Sequence, residues 1–171
     1  MTRPASDEYD EYFHRYIELV PDGSILETLR TQIEETLAPI ETLEDERAGY
    51  RYEPLKWSVR EVVGHCLDTE HLLGFRALWF ARGQPGDLPS FDPDVCDDHA
   101  THDERSIREL CDEWRAVRAS QLAMFGGFDQ NTWSRRGTAS GKTYSVRAMA
   151  WILGGHERHH RQVLADRYGV G

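Results

Sequence analysis

The sequence predicts an all-α four-helix bundle. Three observations carry this. Four long segments repeat apolar residues at alternating spacings of three and four. Helix-start signals and helix-breaking residues punctuate the chain between those segments. Strand-like alternation is almost absent, so helices must pack on helices. At 171 residues and 39% hydrophobic content, one core of ordinary size is expected. The expected organisation is a single domain over residues 1–171, with its core at about 24–168.

The first 23 residues hold Tyr9, Tyr12, Phe13, Tyr16, Ile17 and Leu19. They read as one or two helical turns packed across the bundle, as a latch or a substrate lid. Pro21-Asp22-Gly23 ends them. Helix one is expected from about Ser24 to Glu44, on a stripe of Leu26, Leu29, Ile33, Leu37 and Ile40. Pro39 should kink it or end it early. A loop follows from Asp45 to Pro54.

Helix two opens on Lys56-Trp57-Ser58-Val59-Arg60-Glu61. Ser58 and Glu61 form a capping box, and Trp57 can staple onto Val62. The helix should reach Ala81, with His65 beside its apolar stripe. Arg82 to His102 is a long connection with three prolines and two glycines. Helix three follows from about Asp103 to Phe125, stopped by Gly126-Gly127. Phe128 to Lys142 reads as a second loop, anchored by Trp133. Its Gly137-Thr138-Ala139-Ser140-Gly141-Lys142 is one residue short of a P-loop and follows no predicted strand.

Helix four spans Thr143 to Tyr168, with Ser145 as its cap. Val146, Met149, Leu153, His156, His160 and Val163 form one stripe at spacings of 3, 4, 3, 4 and 3. Tandem imidazoles on a buried row need partners. A divalent ion inside the bundle supplies them, because an i, i+4 pair projects to one side about 6 Å apart. His65 is the best third ligand, since it borders a helical apolar arc. His71 is rotated away from it. His14, His99 and His102 fall in or near loops, and His159 lies on another face. Zinc, nickel and iron all suit imidazole. Three ligands leave an open position, which suits activation of water or a thiolate.

The string His156-Glu157-Arg158-His159-His160 also spells H-E-x-x-H, in which Glu157 would be a general base. No substrate-aligning strand accompanies it, and Glu157 could equally face another helix or pair with Arg161. Arg76 could enter the cavity rim and bind an anionic substrate, or make a salt bridge within the bundle, as could Glu70. Cys66 adjoins His65 but points elsewhere and lacks an activating base. The three cysteines, Cys66, Cys96 and Cys111, have no C-x-x-C spacing, which excludes a zinc ribbon or disulfide scaffold. A net charge of -10 without a long basic stripe argues against nucleic acid. No apolar run is long enough to span a membrane. The acidic start MTRPASDEYDEYF lacks a signal peptide's apolar region, so a cytoplasmic location is expected.

KWSVREVVGHCLDTEHLLGFRAL (56–78), RRGTASGKTYSVRA (135–148) and GGHERHH (154–160) together resemble the DinB-like superfamily. Its relatives include bacillithiol and mycothiol S-transferases and a mycothiol-dependent maleylpyruvate isomerase. The resemblance implies long crossover connections, a zinc or nickel ion on His65, His156 and His160, and a homodimer. It also implies transfer of a low-molecular-weight thiol to a small electrophile. A small-molecule hydrolase and a non-catalytic, metal-stabilised stress protein are the alternatives.

Overall fold

A computed structural model describes residues 2–92, 95–96 and 99–171. Four long helices dominate it: α2 (Ile25–Ile40), α4 (Val59–Ala81), α5 (Ile107–Gly126) and α7 (Val146–Val163). Each begins at a serine. Ser24, Ser58, Ser106 and Ser145 each accept a hydrogen bond from the backbone amide three residues on. That satisfies a donor the helix itself leaves free. At Ser58 and Ser106 the glutamate at the third position returns the bond, completing both capping boxes. Pro39 is the penultimate residue of α2, which ends at Ile40 rather than Glu44.

α2 packs on α5 and α7, and α4 packs on the same two helices. The four therefore form a ring in which α2 and α4 are diagonal, as are α5 and α7. Two of the three connections between long helices must cross the bundle. The first, from α2 to α4, carries the short α3 (Asp45–Ala48) where the sequence predicted only a loop. The third, from α5 to α7, carries α6 (Gln130–Ser134) and a hairpin. These crossings make α4 and α7 neighbours, which decides where the site forms.

The hairpin is a correction to the sequence reading. Residues 128–142 are not merely a loop: β2 (Arg136–Ala139) pairs antiparallel with β3 (Lys142–Ser145), and α7 starts at Val146 rather than Thr143. Ser140 and Gly141 turn it with φ of 57° and 71°, the two-residue left-handed turn that matches strand twist. β1 (Asp87–Leu88), in the connection after α4, adds in parallel to β2. Residues 93, 94, 97 and 98 of that connection lie outside the described residues. The amino-terminal aromatic segment forms two 3-10 turns and α1 (His14–Ile17), which packs on α7. After α7, Leu164–Tyr168 widens into one π-helical turn.

The apolar core falls into two clusters. One gathers Ile25, Leu29, Leu73, Phe80, Trp133 and Trp151. The other gathers Leu37, Val59, Val63, Leu67, Leu110, Trp114 and Leu164. Residue order along α2, α4 and α7 puts a buried polar set at the junction of the two: Gln32, Thr36, Glu70, Arg118 and Glu157. No helix among the described residues is long and apolar enough to cross a membrane.

Candidate metal centre

α4 supplies His65 from its second turn, and α7 supplies His156 and His160 from successive turns of one face. One ligand atom from each lies within 4.8 Å of the others. The Nε2 atoms of His65 and His156 are 3.1 Å apart. Two nitrogens sharing a tetrahedral ion at about 2.0 Å would stand about 3.3 Å apart, so the spacing fits. His160 Nδ1 is buried with no hydrogen-bond partner. An orphaned imidazole nitrogen beside two facing imidazoles is what a cation satisfies and a closed core avoids.

All three imidazoles are held neutral. Burial is the main cause, and it pushes His65 to about 4 and His160 to about 3. It drives His156 well below its ordinary value, with His160 and His65 adding to the effect. Asp68 opposes the shift at His65. Their lone pairs are therefore free at neutral pH.

Two aromatic rings wall the cluster. Trp57, expected only as a staple, lies 4.7 Å from the His65 ring, centroid to centroid. Tyr16 of α1 sets its edge against His156 and His159, at 5.5 and 5.4 Å. Gly155 makes that approach possible. A β-carbon there would sit 2.0 Å from the Tyr16 carbonyl oxygen. Periodicity could not reveal Tyr16, because it comes from a separate short helix. The glycine pair just before His156 was the available signal.

Glu157 and Arg76 are placed elsewhere. Glu157 is one residue from a ligand, but a 100° step turns its carboxylate into the buried layer. There it accepts hydrogen bonds from Thr36 Oγ1 at 2.6 Å, Arg118 at 2.7 Å and Gln32. Its partner is Arg118 on α5, not Arg161, which pairs with Glu35. Arg118 also bridges to Glu70, and both are essentially inaccessible to solvent. Burial disfavours its charge, yet the two carboxylates outweigh that and hold its proton more tightly than usual. Glu157 therefore cannot reach a water at the cluster without abandoning that network. Arg76 is eleven residues beyond His65, roughly 16 Å along the helix. It donates to the Pro89 carbonyl at 2.9 Å, beneath the connection after α4.

His102, left in a loop by the sequence reading, is seated against α4, where its Nε2 meets Asp68 at 3.0 Å. The buried thiols are poor nucleophiles. Burial raises Cys66 well above its usual value and Cys111 to about 12.

Comparison with known proteins agrees with the architecture. The chain is similar in fold to YfiT from Bacillus subtilis, described as a probable metal-dependent hydrolase with an unusual four-helix bundle topology. The TM-score is 0.70 at 14% identity, covering 98% of this chain and 94% of that one. A sequence search among curated proteins gives no match. The sequence model of the DinB superfamily matches residues 28–164, a span that includes α4, α5, α7 and all three clustered histidines. The chain belongs to the DinB superfamily.

Proposed function

We propose that this protein is a divalent-metal-dependent enzyme whose ion is held by His65, His156 and His160. The observation that carries the reading is three neutral, converging imidazoles with no fourth protein ligand in the cluster found among the described residues. Closed structural sites use four protein ligands, whereas three leave a position for a reactant. When bound, the ion supplies a Lewis acid that lowers the pKa of a coordinated thiol or water. The chain's own residues orient the imidazoles and limit water. Trp57 covers His65 and Tyr16 covers His156.

The finer reading is transfer of a low-molecular-weight thiol to a small electrophile, supported by the motifs of residues 56–78 and 154–160. Hydrolysis is the second reading, favoured by the description of YfiT. Neither Glu157 nor Arg76 is assigned a chemical step, because the network and the distance above occupy them otherwise. Zinc and nickel both suit the donor set.

The test is elemental analysis of untagged protein beside His65→Ala. About one zinc or nickel per chain is expected in the wild type, with at least a tenfold loss in the variant. Wild-type protein that holds no zinc, nickel or iron after reconstitution would sink the reading. With the ion in place, turnover of an electrophile with and without added thiol separates transfer from hydrolysis.

A further inference from the structure

A cavity of about 290 Å³ has His160 in its lining. Its lining includes Tyr52, Trp57 and Tyr168, with Leu55 and Lys56. The aromatic walls are fixed. Tyr168 donates its hydroxyl hydrogen bond to the Trp57 carbonyl at 2.7 Å, and the Tyr52 ring stands perpendicular to that of Tyr168 at 5.1 Å. The walls therefore present a rigid, largely apolar space wide enough for one ring.

Two residues of that lining sit in the turn 53–56, which the Lys56 amide closes onto the Glu53 carbonyl at 3.2 Å and which Arg51 holds by donating to the Lys56 carbonyl at 2.7 Å. Leu55 is fully exposed and adopts a φ of 65°, a conformation leucine rarely takes. Its side chain buries nothing, and its positive φ is the one the second central position of a Pro-led turn requires. Lys56 is exposed beside it, and Lys142 is the lysine that forms an ion pair among the described residues. An exposed leucine and an ammonium at the rim of an aromatic slot offer an apolar cover and a charge to a flat, anionic ligand.

We propose that this cavity binds a small, single-ring or similarly flat apolar acid. The ring lies between Tyr52, Trp57 and Tyr168 under Leu55, and the anionic group meets Lys56. The ligand's other end then lies against His160, one of the three clustered imidazoles, so the cavity is a binding site beside the candidate centre.

The experiment is an NMR titration of the zinc-loaded full chain with phenylacetate, acetate and benzyl alcohol. Phenylacetate should bind at least about tenfold more tightly than either control, because only it offers both a ring and a charge. Leu55→Gly is the decisive variant. It relieves the backbone and removes no buried contact, so the thermal midpoint should hold or rise. Phenylacetate should nevertheless bind about threefold more weakly. Lys56→Met should weaken it by up to about fivefold, as expected for an exposed ion pair, and leave benzyl alcohol unchanged. Equal affinity for phenylacetate and acetate, or phenylacetate binding unchanged in both variants, overturns the proposal. Either result with one zinc per chain leaves the metal reading standing. A protein that holds no zinc overturns the metal reading instead, and the same titration on metal-free chain still decides the cavity.

Discussion

At the scale of single residues, the centre is defined by protons it does not carry. His65, His156 and His160 all have folded pKa values below the ordinary value of 6.5, mainly through burial. The unfolded chain therefore binds more protons than the folded one below about pH 6.5. Their contribution to stability is fully present above that value and is lost as pH falls toward 4 and then 3. Metal-free protein should show a falling urea midpoint over this window, with wild type steeper than His160→Gln. A midpoint that stays flat from pH 6.5 to 4 would contradict the burial argument. The stripe of α7 made His156 and His160 legible in the sequence. His65 was legible because it flanks a stripe with a strong helix start. Trp57 was visible only as a staple. Tyr16 was not legible as a wall, since its position depends on α1 crossing α7 at Gly155.

At the scale of elements, charge crosses the bundle where apolar contacts do not. Arg118 of α5 donates to Glu70 of α4, to Glu157 of α7 and to the Leu29 carbonyl of α2. One guanidinium thus touches all four long helices. Arg118→Met would leave two carboxylates buried without their cation. The expected cost is about 3–5 kcal/mol, read from chemical denaturation. Double replacement with Glu157→Gln should recover part of it, since one orphaned charge goes with it. If Arg118→Met were neutral, the layer would be hydrated rather than dry. Sequence reasoning missed this layer because its members come from four helices, and only Gln32 and Thr36 of α2 share a local spacing. The H-E-x-x-H string illustrates the same limit. Its histidines follow from the i, i+4 rule, whereas the direction of Glu157 depends on which helix lies beside it.

At the scale of the whole molecule, the ring of helices was legible and its order was not. Apolar periodicity predicted four helices, and Ser58 and Ser145 were legible as two of their four serine caps. The diagonal crossings were implied only by the family resemblance, because hydrophobic stripes say which faces are buried and not which helix covers them. The hairpin at 136–145 escaped because four-residue strands with a Ser-Gly turn look like polar loop. The crossings nonetheless have a consequence for how the protein assembles. Two of the three clustered histidines sit within one helical turn, but His65 and His156 are separated by 91 positions in the chain. An isolated α7 could form its pair alone, yet the triplet exists only when α4 has docked. The centre is therefore a gauge of long-range assembly. Substituted cobalt should gain its three-imidazole visible band only at that moment. In refolding, far-ultraviolet circular dichroism should rise first and the cobalt colour should trail it. Coincident traces would mean that helix growth and the docking of distant chain segments are a single event.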